Sequence, residues 1–241
     1  ELLHDATSSS DGGALAAGWD EGHSGGKRLG LLTRLDALGK VQWQQRVGSA
    51  TVQALRAVVG LPGGDVLAAG EVFAGTTPSR WLVRTNAAGV VRWSRVAKSV
   101  NSPRAMVRTT GGRVLVTGTA PSGTSTDLWL WATDALGNHV WDGGYAGQGL
   151  DVGVAVWSDG AAVLAVGEAY AKGRKGVLLR RNLWGHGTCA AAAGCEAKAE
   201  SACDDGKPCT VDGCAKGTCS HQAAVGWTCD PNDGCSTSAS C

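Results

Sequence analysis

The first 188 residues contain no cysteine, so no disulfide or thiolate chemistry is available to most of the chain. No run of 18 apolar residues occurs, which excludes a segment that crosses a bilayer as a helix. Neither sign of charge prevails: 22 Lys and Arg face 21 Asp and Glu, interspersed, for a net charge of +1. Such a balance creates no global field to recruit nucleic acid or an anionic membrane. Walker and Gly-x-Gly-x-x-Gly phosphate loops are missing, as is the Asn-x-Ser/Thr glycosylation acceptor. The chain opens on Glu1 rather than Met, with no charged-then-apolar leader, as expected of a mature product or a piece of something longer. Aromatic usage is lopsided, with one Phe and two Tyr against ten Trp. That bias is expected when one Trp-bearing unit has been copied several times.

The copies are visible. Residues 31–43, 81–93, 129–141 and 177–189 align without gaps. One column holds Asp36, Asn86, Asp134 and Asn182, and another holds Gly39, Gly89, Gly137 and Gly185. A third holds Trp43, Trp93 and Trp141, with Cys189 in the fourth copy. Upstream, Gly13, Gly64, Gly112 and Gly160 mark a turn before "ALAAG", "VLAAG", "VLVTG" and "VLAVG". Each repeat reads as four strand-like runs joined by turn chemistry, because Asp or Asn caps its own turn and Gly supplies positive φ. The second run is apolar on both faces, as expected near a crowded axis. Four antiparallel strands per unit of this length, repeated, predict β-propeller blades, at about 1–49, 50–98, 99–147 and 148–188. The tryptophans are expected to pack against the following blade, each hiding about 200 Å². Four blades are few, so the ring either closes at four or is an open arc of a larger one.

"LDALGKVQW" and "TDALGNHVW" resemble the Asp-Ala-x-Gly-x-x-x-Trp signature of PQQ-like propeller repeats, and the likeness covers residues 1–188. It implies the fold. In quinoprotein enzymes of that wider family the cofactor lies between a vicinal cysteine pair and a calcium ion. The lack of cysteine before 189 disfavours that cofactor, and none is expected.

All nine cysteines crowd the tail: Cys189, Cys195, Cys203, Cys209, Cys214, Cys219, Cys229, Cys235 and Cys241. The density predicts a small disulfide-stapled module over 189–241, and hence a secreted or cell-surface location. "CDDGKPCTVDGCAKGTCSH" resembles Cys-rich modules of myxobacterial extracellular proteins. No Cys-x-x-Cys pair occurs, which argues against a zinc ribbon, although His186 and His221 stand near cysteines. Nine is odd, so one thiol is free, intermolecular, or paired beyond Cys241. "CDDG" and "DPNDG" echo calcium loops but lack the alternating ligand set, and Asx-turns explain them more simply.

Catalytic signals are weak. "GHSGG" at 22–26 matches Gly-x-Ser-x-Gly, with Ser24 at the nucleophile position, but lies between two strands rather than at a strand-to-helix elbow. His4, His23 and His139 fall in the repeats with no carboxylate spacing that suggests a site. "KGRKGVLLRR" at 172–181 reads as a solvated strand face. The expected function is a non-catalytic extracellular scaffold that binds a protein or glycan through its loops. The alternatives are a hydrolase or lyase with its site at the channel, and a filament or complex subunit joined through open blade edges or the odd cysteine.

Overall fold

The computed structural model describes residues 1–21, 27–49, 52–74, 77–97, 100–145, 150–159, 162–170, 175–182, 210–215 and 218–223. These residues are all-β apart from a 3-10 turn at Pro62–Gly64. The first blade comprises β1 (Leu2–Ser8), β2 (Ala14–Asp20), β3 (Leu29–Leu35) and β4 (Val41–Val47). The second has β5 (Val52–Gly60), β6 (Val66–Ala74), β7 (Thr77–Thr85) and β8 (Val91–Val96). The third has β9 (Ser102–Arg108), β10 (Val114–Ser122), β11 (Ser125–Thr133) and β12 (His139–Tyr145). The fourth has three described strands, β13 (Asp151–Ser158), β14 (Ala162–Ala169) and β15 (Lys175–Asn182). Within each sheet the spatial order follows the chain and every pairing is antiparallel, giving a four-blade propeller-like arrangement. A separate hairpin joins β16 (Thr210–Ala215) to β17 (Thr218–Ala223), with Cys214 opposite Cys219 in the backbone register.

The first strand of each blade, not the apolar second, lies nearest the axis. The second strand is one step out and gives residues to the packing on both of its faces. That position explains its composition. Ala17, Ala69 and Thr117 are all fully buried, and a β-carbon at Gly70 would stand 2.0 Å from the Ala54 carbonyl oxygen.

Three apolar layers join the blades. Leu15, Ala17 and Leu32 of the first meet Leu55, Val58 and Trp81 of the second. Val59, Leu67 and Leu82 of the second meet Val114, Trp129 and Trp131 of the third. Leu115, Leu128 and Leu130 of the third meet Val163 and Ala165 of the fourth. Trp81, Trp129 and Trp131 are the most buried indoles in these layers, at 0–2% exposure. Each hides about 200 Å², so burial of these indoles is a leading cohesive term between blades.

The outer hairpins show why the repeat carries its polar residue and glycine. The Asp36 Oδ1 accepts from the Leu38 and Lys40 amides, both at 2.9 Å. Asn86 does the same with Ala88 and Val90, and Asp134 with Leu136 and Asn138. Gly39, Gly89 and Gly137 follow at φ of +78° to +81°, where a β-carbon is strained. Trp43 covers the next blade's turn, donating through Nε1 to the Ala87 carbonyl at 2.9 Å and lying against Gly89. Trp93 lies against Gly137 in the same way. Trp141 is 6% exposed within the third layer. Asn182 ends β15, while Gly185 lies outside the described residues.

Candidate functional site

Every first strand carries one extra residue at the same place. Register slips between Leu3 and Asp5, between Leu55 and Ala57, between Pro103 and Ala105, and between Gly153 and Ala155. The residues left without a ladder partner are His4, Arg56, Arg104 and Val154. A bulge bends its strand and re-aims one side chain. Here four bulges aim at the axis, where His4, Arg56, Arg104 and the segment Val152–Val154 line one cavity of about 220 Å³.

The cavity is cationic. The Arg56 Nη1 lies 2.8 Å from the His4 Nε2, and the Trp19 indole N–H donates to the same nitrogen at 3.1 Å. Two donors on one ring nitrogen require it to be an acceptor, so His4 is neutral with its proton on Nδ1. Burial holds the His4 pKa below its ordinary value, and the charges of Arg56 and Arg104 push the same way. Arg28, which sits 4.1 Å above the Trp19 ring, adds to this, while Glu71 opposes it.

Glu71 is the one carboxylate engaged at this level. It is 4% exposed, with one oxygen receiving the Arg56 Nε and Nη2 at 3.2 and 3.1 Å and the other the Ser102 hydroxyl. It fixes Arg56 in place and neutralises one cation. Arg104 is exposed and makes no ion pair or hydrogen bond among the described residues. Asp5, next along β1, turns away and accepts from the Val58 amide at 2.9 Å. Burial raises its pKa.

A larger depression of about 490 Å³ lies where the first strands end, beside Ser8, Gly60, Met106 and Arg108. Two of its charged side chains, Arg34 and Asp65, are already matched. Arg34 pairs with Asp11 at 2.8 Å, and Asp65 pairs with Arg84 at 2.9 Å.

The remaining sequence candidates do not converge. His139 accepts from the Trp131 indole at 3.2 Å and lies 3.7 Å from Asp142, far out on the third blade. The "GHSGG" loop with Ser24, and His23, lie outside the described residues. So do Cys189, Cys195, Cys203, Cys209, Cys229, Cys235 and Cys241, together with "CDDG" and "DPNDG". In "KGRKGVLLRR", Leu178 and Arg180 are exposed and Val177 and Leu179 half-buried, the alternation of a strand with one open face. Among the described residues no group of three or more His, Cys, Asp or Glu could hold a metal ion.

Arg56 and Arg104 were not legible as site residues, because a bulge is set by pairing and not by composition. The available signal was positional: residues 4, 56, 104 and 154 share one place in four repeats, and three of them are basic.

No helix among the described residues is long and apolar enough to cross a membrane. No protein-family model matches the chain, and no curated protein is similar to it in sequence. Among solved structures, it is similar to a protein of unknown function from Bacteroides caccae, with 13% identity and a TM-score of 0.48, over 75% of this chain and 57% of that one. It is also similar to a puromycin hydrolase mutant, with 14% identity and a TM-score of 0.45, over 75% of this chain and 28% of that one. The chain therefore spans less than two thirds of the length of either structure.

Proposed function

We propose that the protein is a non-catalytic extracellular or cell-surface binding scaffold that holds an oxyanion of its ligand at the propeller axis. The ligand is a protein or glycan presenting a carboxylate, sulfate or phosphate. The observation that carries this reading is the convergence of His4, Arg56 and Arg104, from three blades, on one cavity. A guanidinium offers a planar fork of donors that matches an oxyanion, and a partly enclosed site strengthens the pairing. The absence of a catalytic role is supported by Glu71, whose oxygens are both engaged by Arg56 and Ser102 and so are poorly placed to move a proton. The extracellular location is supported by the nine cysteines after residue 188, and the likeness to PQQ-like repeats and myxobacterial modules is consistent with it.

Calorimetric titration with sulfate, glucuronate and neutral glucose tests the reading. Sulfate and glucuronate are expected to bind and glucose not. Arg104→Ala is expected to weaken binding about 10- to 100-fold, the worth of a charged hydrogen bond, without lowering the melting temperature. Equal binding of glucose and glucuronate, or an unchanged affinity in Arg104→Ala, would overturn it.

A further inference from the structure

Four equivalent leucines occupy one column of the third strands. Leu32, Leu82 and Leu130 are 1%, 5% and 1% exposed under the following blade, whereas Leu178 is 67% exposed. The column of the second strands repeats the contrast, with Ala17, Ala69 and Thr117 at 0% and Val166 at 42%. On the first strands Val59 is 4% exposed and Trp157 is 54%. The glycines agree. A β-carbon at Gly30 would meet the Trp81 ring at 2.7 Å and Leu55 at 3.0 Å, both from the next blade, while at its counterpart Gly176 it would meet nothing within 4 Å. The arginines agree as well. Arg34 reaches the Gly64 and Ala87 carbonyls of the next blade, and Arg84 reaches the Ala135 carbonyl. Arg180, at the same place in the fourth blade, is exposed and has no partner among the described residues.

The complementary half of this interface is open at the other end of the arc. Leu3 is 53% exposed, although its counterpart Leu55 is fully buried. Ala6 is exposed where Val58 is fully buried. Gly39 has nothing within 4 Å, although Gly89 and Gly137 at the same place are pressed by Trp43 and Trp93. Among the described residues, a forward face and a first-strand face, of the kinds that mate three times inside the molecule, are thus both unmated.

We infer that the fourth blade docks the first blade of a second copy of this chain, head to tail, repeating the internal blade interface. Leu3 of the incoming copy takes the seat over Gly176 that Leu55 takes over Gly30, against Leu178 and Val166. Arg180 then reaches the Ala37 carbonyl of the other copy, as Arg34 reaches Ala87. The contact without a counterpart is the outer indole, since the fourth repeat has Cys189 in the sequence column of Trp43, Trp93 and Trp141. The interface is heterologous, so assembly closes into a ring if the blade-to-blade rotation permits and otherwise grows as a filament.

Light scattering on a sizing column is expected to give twice the chain mass or more for the native protein, with separate chains in non-reducing SDS. Leu178→Asp and Leu3→Asp are each expected to run as folded monomers. Each keeps the face that the other lacks, so an equimolar mixture is expected to recover a dimer. Gly176→Leu fills the empty seat without strain and is expected to weaken association at unchanged melting temperature. Native protein that stays monomeric, that associates with lipid vesicles instead, or that forms oligomers indifferent to Leu178→Asp would overturn the inference. A mixture of the two Asp variants that stays monomeric would overturn the head-to-tail arrangement.

Discussion

Trp43 and Gly89 belong to neighbouring blades, and a β-carbon at Gly89 would stand 2.8 Å from the indole. Gly39 has nearly the same backbone, φ +79° against +81°, with nothing within 4 Å. Gly39→Ala therefore carries only the left-handed backbone cost, about 1–2 kcal/mol, whereas Gly89→Ala adds a clash between blades. Urea denaturation is expected to place Gly89→Ala at least about 1 kcal/mol below Gly39→Ala. Equal losses would mean that the indole moves aside freely.

Leu130 and Leu178 share a sequence column but not an environment. Leu130→Ala, at 1% exposure, is expected to cost about 2–5 kcal/mol. Leu178→Ala, at 67%, is expected to stay within about 0.5 kcal/mol in protein held monomeric by Leu3→Asp. Denaturation of the two variants in that background checks both values.

The neutral His4 makes the axis responsive to pH. Its pKa is lower in the folded state than the ordinary 6.5, so the unfolded chain binds a proton more readily. Its contribution to stability is complete above pH 6.5, falls as pH drops below that value, and stops changing under the folded pKa. His4→Gln is expected to flatten that part of the stability profile. A bound anion offsets the repulsion from Arg56 and Arg104 and raises the His4 pKa, so binding takes up protons. Sulfate, which does not itself titrate in this range, is therefore expected to bind more tightly as pH falls, and His4→Gln to lose that dependence.

Nine cysteines cannot all pair within one chain. Alkylation without reduction is expected to label an odd number of thiols per monomer in the intact mass. Full reduction before alkylation is expected to raise the label to nine. An unreduced monomer carrying all nine labels would remove the disulfide reading and with it the support for an extracellular location.

The hairpins were legible because their determinants are local. Asp36, Asn86 and Asp134 cap their own turns, and the glycine that follows each is required by its φ. The meander inside each blade was legible for the same reason. The deeper cohesion was less so: the turn-proximal repeat column holds Trp43, Trp93 and Trp141, yet Trp81, Trp129 and Trp131 are among the most buried large side chains between blades. Their burial depends on which sheet face meets a neighbour, and alternation along one strand does not say which. Nor does any residue type distinguish Leu178 from Leu130. Their surroundings do: Leu130 lies under the fourth blade, and among the described residues no blade covers Leu178.

The placement of the bulges has a bearing on how such an arrangement could change its specificity. His4, Arg56, Arg104 and Val154 stand outside the hydrogen-bond ladders and project where no blade interface is built. Arg104 and Val154 are thus free to vary while their pairing and neighbours stay as they are, whereas Arg56 is tied to the buried Glu71 and His4 to Trp19. Swapping cation or aliphatic for acid or amide at those two places would write a new lock on an unchanged frame, while a change at Arg56 would leave Glu71 buried without its cation.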